Sequence, residues 1–334
     1  MTSTDRITGR LDIDCTALDP IHHGAGTVGN VQMIRVQPIV LDDGSEARVP
    51  YISGNSIKHM IREGGARFAL EALGIGDGEL TKGMIDLLFS GGGLTKGGSA
   101  VNLAKARELE RLFPLLPVLG YSAGNTMTAS KLRVDHLHLV CRENLWRMPE
   151  QLRALPVASR QAGSLRSDEF GTRHDALRSP QVAAMLESET RRLIEADRST
   201  KAGDKGVSEK ALASSQMIYE FEAIMAGSRF WGGIEFRDLS PVEVGALQSA
   251  IGRASAGVHG DCHVFHIGAK SSIGFGRVAI RFAGELRHIE RLKTDPADAI
   301  AVFGEANAPT IGAYVEHLRQ HRADLLAALR EAAE

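Results

Sequence analysis

Cysteine is scarce in this chain: Cys15, Cys141 and Cys262 are the three among 334 residues, and they lie far apart. A framework stapled by disulfides carries more of them at closer spacing, so that class is excluded. Aromatic residues amount to 5%, which leaves base stacking a minor role, with Phe170, Phe230 and Phe275 as its candidates. No apolar run approaches a membrane span, and none follows a basic start. The expectation is therefore a cytoplasmic protein with no membrane partner. A net charge is lacking too: 39 Lys and Arg against 41 Asp and Glu give −2. A dedicated nucleic-acid binder is often basic overall, and here only local patches could serve phosphate.

Apolar residues and glycine are plentiful. The first make up 43% and build a sizeable core, and the 36 glycines cluster into loops that allow close backbone approach. The length sits at the upper edge of one core, so one core with large insertions or two domains is expected. Residues 6–19 alternate as a half-buried strand, the Gly-rich loop 22–30 follows, and 31–41 and 46–52 read as two strands around the hairpin signal Asp43-Gly44. A helix is expected over 55–73, capped by Ser53, Asn55 or Ser56 and ended by Gly74, with Gly64-Gly65 marking a bend or a close contact. Residues 76–130 look irregular, with short helical pieces and Gly-containing loops at 91–98 and 120–124, and 131–141 alternate as a strand with a slip near Asp135. The stretch 150–215 turns polar and Arg-rich and reads as a protrusion. Beyond it come a long strand over 216–237, a helix opened by Ser240-Pro241, strands over 262–269 and 275–283, and a final amphipathic helix over 310–332. This order is an α+β plan, an antiparallel sheet with helices on one face in the ferredoxin-like manner.

Gly24-Ala-Gly26-Thr-Val-Gly29 fits G-x-G-x-x-G, but a dinucleotide site needs a helix directly after it and a β-rich segment follows. Gly91 to Gly98, with Lys96, fails the P-loop spacing; it reads as a flexible loop or as an occasional phosphate contact. The run Ser53-Gly54-Asn55-Ser56-Ile57-Lys58-His59-Met60-Ile61-Arg62 is more telling. Free N–H groups and small polar side chains at a helix start attract phosphate, and Lys58 and Arg62, four apart, add charge to one face. A plain cap with solvated basic residues is the alternative. Gly268 to Gly276, with Lys270, Ser271, Ser272 and Arg277, could let a backbone pass over a nucleotide chain, or could be only a long hairpin loop. His259, Cys262, His263 and His266 alternate across a strand and do not offer four closed zinc ligands, and Asp135, His136 and His138 offer no better set. No metal or cofactor is expected, and no catalytic constellation stands out.

The strand, the loop His22-His23-Gly24-Ala25-Gly26 and the run Val49-Pro-Tyr-Ile-Ser-Gly-Asn-Ser-Ile-Lys58 resemble the opening of RAMP-superfamily proteins. In that superfamily a histidine-glycine loop precedes a proline-tyrosine-isoleucine-proline-glycine-serine-serine-leucine-lysine run. Ser130-Lys131-Leu-Arg-Val-Asp135 resembles the family's mid-chain strand, and Gly274-Phe-Gly276-Arg277 its terminal Gly-rich loop. Length and protrusion look like the backbone subunit of a CRISPR effector, most like type IV and next type III. The resemblance implies a modified ferredoxin-like or RRM core over 1–149 and 216–290, a thumb over 150–215 and a C-terminal helix over 305–334. It implies copies stacked along a guide RNA, with a complementary target and other effector subunits as partners. Guide contacts would come from His22, His23, Gly24, Ser53 to Ser56, Lys58, His59, Arg62, Lys96, Lys131 and the Gly268–Arg277 loop. Arg160, Arg166, Arg173 and His174 make the thumb basic. Type III backbone subunits typically carry a target-cutting aspartate in the first Gly loop; residues 22–32 hold no Asp or Glu, with Asn30 the nearest polar substitute and Asp19 before the histidines. A non-catalytic subunit is therefore expected. The alternatives are an RNA-processing endoribonuclease of the same superfamily acting through His22, His23 or His59, and an oligomer unrelated to nucleic acid.

Overall fold

A computed structural model describes residues 6–92, 103–123, 126–173, 185, 187–189, 217–284 and 309–333. The chain divides into two compact units, one of Met1–Gly24, Ile34–Arg166 and Ala223–Glu334, the other of Ala25–Met33 and Ser167–Glu222. The strands, in chain order, are β1 (Ile7–Ala17), β2 (Gly24–Val28), β3 (Val31–Ile34), β4 (Val36–Val40), β5 (Glu46–Ile52), β6 (Tyr121–Ala123), β7 (Thr126–Thr128) and β8 (Leu132–Val134). They continue as β9 (Leu137–Leu139), β10 (Arg166–Arg173), β11 (Met217–Ile224), β12 (Arg229–Leu239), β13 (Gly257–His259), β14 (Cys262–His266) and β15 (Arg277–Gly284).

The first unit is built on a sheet of order β13-β14-β15-β1-β12-β9-β5-β4, with β8 also on β12. Its middle, β15-β1-β12-β9, pairs antiparallel throughout. Helix α1 (Gly54–Ala72) follows β1 and its hairpin, and a second long helix (Pro241–Ala254) follows β12. That is the split β-α-β arrangement of a ferredoxin-like core, in a mixed α+β chain. Alternation decides which face is covered. Leu11, Ile13 and Cys15 of β1 are fully buried and join the main core with Ile57, Ile61 and Phe68 of α1 and Val244, Leu247 and Ile251 of the second helix. The intervening Arg10, Asp12 and Asp14 pair in register with Glu235, Gly233 and Trp231 on the opposite face. Edge strand β4 carries Pro38, a residue tolerated where no ladder donor is needed.

Both helix starts are written in the chain. Ser240 and Glu243 cap each other's backbone N–H groups in a capping box, with proline in the first turn. The Gly64-Gly65 pair is a close contact rather than a bend: α1 runs unbroken, and a Cβ at Gly64 would collide with the Ala250 carbonyl oxygen. At Gly65 it would lie 2.5 Å from Leu115 Cδ2. Phe68 stacks on Tyr314 of the helix Pro309–Gln320, at 6.0 Å between ring centroids.

Several boundaries differ from expectation. The loop after β1 is in part strand, β2, and the segment 31–41 breaks at Arg35 into β3 and β4. The slip near Asp135 separates β8 from β9, and the long strand over 216–237 is β11 and β12 with a turn at Gly227. The final helix breaks at His321 into Pro309–Gln320 and Arg322–Ala333, while the helical pieces expected within 76–130 include the helix Leu103–Leu112. Residues 150–166, expected in the thumb, belong to the first unit, and 25–33, expected in the core, belong to the second. The second unit is organised around β10-β11-β3-β2, in which β11 and β3 pair parallel. Alternation within one strand reports burial and not where a pairing partner ends, which is why these breaks were invisible.

Candidate nucleic-acid interface

Helix α1 starts where β5 ends. Ser53 is extended, and its hydroxyl accepts the Ser56 N–H at 3.4 Å. The two amides before that have unexpected partners. The Ser53 N–H donates to His23 Nε2 at 3.1 Å, and the Gly54 N–H donates to His136 Nδ1 at 3.0 Å. Gly54 must be glycine, because a Cβ there would collide with the Val134 carbonyl oxygen. An imidazole nitrogen that accepts a hydrogen bond carries no proton. For His23 the setting enforces this: burial, aided by the charge on Arg35, pushes it down to about 4. The expectation of a bare helix terminus is corrected accordingly, since Asn55 N–H is the amide of this turn that these partners leave open.

The backbone around His23 draws in the Gly-rich loop. Ala269 N–H donates to the His22 carbonyl at 2.9 Å, Arg35 N–H to the His23 carbonyl at 2.8 Å, and Gly276 N–H to the Pro20 carbonyl at 2.8 Å. Gly268 has φ +88, and a Cβ there would sit 2.6 Å from the His22 carbonyl oxygen. Three segments far apart in sequence thereby line one cavity of about 620 Å³. Its walls include Gly24, Arg35, Ser53, Asn55 and Ser56, with His59, Glu63, His266 and Gly268 around them. The cationic group is Arg35, whose Nε donates to the Gly24 carbonyl at 3.1 Å, and the exposed imidazoles of His59 and His266 stand on the same walls. A wall of small polar side chains, one open amide and a guanidinium suits an anion threaded through it better than an apolar ligand.

The expected residues separate into those at this cavity and those with other work. His23, Gly24, Ser53, Asn55, Ser56 and His59 line it. His22 and Gly54 are buried beside it. Ser271 and Ser272 form an exposed 3-10 turn after Lys270, which is left-handed at φ +67. Arg277 forms an ion pair with Asp19 at 3.3 Å, tying the loop's end to the end of β1. Lys58 is half-buried, and burial followed by the Arg62 charge lowers its pKa. Arg62 corrects the expectation of a basic helix face: it is 8% exposed, and its guanidinium donates to the Leu119 and Gly120 carbonyls at 3.1 and 2.7 Å. Lys131 is likewise engaged, with Glu243 at 2.7 Å. Phe230 is core. Arg160 and Arg166, expected in the thumb, belong to the first unit. Lys96, His174 and the Arg173 side chain lie outside the described residues. Reading by sequence missed Arg35, which looked like one polar position in a strand, and His136, which looked like a poor metal ligand.

Among the described residues, the sheet face turned away from α1 offers no comparable site. Arg10 bonds Asp12 at 2.7 Å and Asp135 at 2.8 Å, and Arg229 grips Asp14 at 2.6 Å. Its charges are consumed in pairs, and Trp231 is packed under a small cluster of Val140, Met148, Leu152 and Ala158.

The model of the RAMP superfamily matches residues 14–279 of this chain. No curated protein matches it. Among solved structures, a chain of a "Type IV-B CRISPR Complex" superposes with a TM-score of 0.53 at 18% identity, covering 82% of this chain and 90% of that one. At that identity the likeness is one of fold.

Proposed function

This chain belongs to the RAMP superfamily, and from that membership and the cavity at α1 we propose that it is the guide-RNA-binding backbone subunit of a CRISPR effector complex. The observation that carries the reading is the convergence of His23-Gly24, Ser53–His59 and Gly268-Ala269 on one polar cavity. In this reading copies line up along the guide, each gripping sugar-phosphate, while base pairing to the target supplies sequence recognition. Other effector subunits complete the complex, and it works in the cytoplasm. Lys270, Ser271 and Ser272 cover the strand from the loop side; Lys58 contributes field, and Arg62 and Lys131 hold the scaffold.

The subunit is non-catalytic in this proposal. Residues 22–32 carry no carboxylate, Asp19 is paired with Arg277, and His23 accepts an amide proton where a general base would need that nitrogen free. His22 is buried, and His59 is the exposed histidine left for the endoribonuclease alternative. The test is expression beside a CRISPR array, followed by sizing of the RNA retained with the protein. RNA protected in lengths that step by a constant increment supports the backbone role. Protein that purifies RNA-free at low salt contradicts it, and cleavage of a repeat hairpin that vanishes in His59→Ala replaces it with the enzyme.

A further inference from the structure

The segment 142–165 was set aside by the function above, yet it concentrates the kind of groups a nucleotide strand meets. It holds Arg142, Arg147, Arg153 and Arg160 against Glu143 and Glu150, a local excess of two positive charges in a chain of net −2. Glu143 is turned inward, its carboxylate accepting the Ala162 N–H at 2.9 Å. None of the four arginines pairs with a carboxylate among the described residues, whereas Arg10, Arg229 and Arg281 on the neighbouring sheet all do. The segment is fixed by its own bonds: Arg142 N–H donates to the Arg160 carbonyl at 2.8 Å, Arg153 Nε to the Met148 carbonyl at 2.6 Å, and the Arg160 guanidinium to the Ser164 carbonyl at 2.9 Å.

Among them stands Trp146, 63% exposed. The Arg147 guanidinium lies 4.4 Å from its ring centroid and reaches His138 Nδ1 at 2.9 Å. Its Nε is buried with no hydrogen-bond partner among the described residues, so the indole face and His138 are what this cation meets there. The platform is rigid, because Met148, Leu152 and Ala158 beneath it are buried against Val140 and Trp231. An exposed indole backed by a guanidinium, in a segment whose arginines pair with no described carboxylate, matches the stacking-plus-phosphate recognition of single strands.

We propose that Trp146 with Arg142, Arg147, Arg153 and Arg160 forms a second binding surface, for single-stranded nucleic acid, built from residues that do not line the α1 cavity. A base stacks on the indole while the arginines meet the flanking phosphates. The proposal stands without the cavity reading.

The chain has two tryptophans, which makes the site its own reporter. A single-stranded oligothymidylate is titrated into the full-length protein as purified, and into Trp146→Phe, Trp146→Ala and Arg142→Ala/Arg160→Ala variants, with the cavity variant Asn55→Asp alongside. The expected result is quenching in the wild type that is absent in Trp146→Phe, because the remaining Trp231 is packed in the cluster. Affinity is nearly kept in Trp146→Phe and falls roughly five-fold or more in Trp146→Ala. The arginine pair weakens binding without touching the cluster, and Asn55→Asp leaves the Trp146 quenching intact. Unquenched emission, with equal affinity in wild type and Trp146→Ala, overturns the proposal. So does a Trp146→Ala variant that changes the size of the assembly while binding the oligonucleotide normally, which would make the surface a protein contact.

Discussion

At the residue scale, His23 and His136 act as acceptors for the first turn of α1, and for His23 protonation is a structural event. His23 is held down at about 4, chiefly by burial, against an ordinary value near 6.5. The unfolded chain therefore binds a proton that the folded chain refuses between those two values, and stability must fall as pH drops from about 6.5 toward 4. His138, pushed down to about 4 by burial and then by Arg147, adds to the same window. Urea midpoints measured across pH 4 to 8 are expected to be flat above 7 and to decline below 6.5. His23→Gln keeps an acceptor for the Ser53 N–H and should flatten part of that decline. An identical slope in the variant would contradict the assignment. His22 and His23 were legible in the sequence as the rim of a Gly-rich loop; their burial was not, because it depends on β5 and the Gly268 loop arriving from elsewhere.

At the scale of elements, α1 shows how a sequence signal can be right in place and open in cause. Gly64-Gly65 announced something unusual mid-helix, and the two packed helices supply the reason. In an exposed helix Gly→Ala is favourable by about 1 kcal/mol. Here Gly64→Ala drives a methyl into the Ala250 carbonyl oxygen, and we expect a loss of roughly 2 kcal/mol. Gly65→Ala meets the end of the Leu115 side chain, which can shift, and the Ala250 methyl at 2.9 Å; with no backbone atom in its way it should cost less. Denaturation midpoints of the two variants check the order; a stabilised Gly64→Ala would mean the helices are not in contact there. Caps and alternation likewise predicted α1, the helix at Ser240 and the face of β1, since those signals are local. The break at Arg35, the split at His321 and the inward turn of Arg62 were not legible. Each is set by a partner far away in sequence, such as the Leu119 and Gly120 carbonyls that take the Arg62 guanidinium.

For the whole molecule, a net charge of −2 and an RNA-binding role are compatible because the basic groups are apportioned unevenly. On the open sheet face arginines are neutralised in pairs, at the cavity Arg35 stands beside an open amide, and on the 142–165 segment four arginines lack carboxylate partners among the described residues. No described helix is long and apolar enough to cross a membrane. The ferredoxin-like plan and the two Gly-rich segments were readable in advance. Their meeting around one cavity was not, because it is a property of sheet order, which places β1, β5 and β14 so that the chain beyond each arrives at the same end.

The most direct test of the central claim is the salt dependence of RNA affinity for the full-length protein, compared with Arg35→Ala and Asn55→Asp. The dissociation constant of the wild type should rise steeply with salt on logarithmic axes, the slope reporting several phosphates neutralised. Arg35→Ala should lower that slope by about one, and Asn55→Asp, which places a carboxylate at the open amide, should weaken binding across all sequences alike. Slopes and affinities that match the wild type in both variants would mean that RNA, if bound, is held elsewhere, and that the cavity at the start of α1 is not the grip.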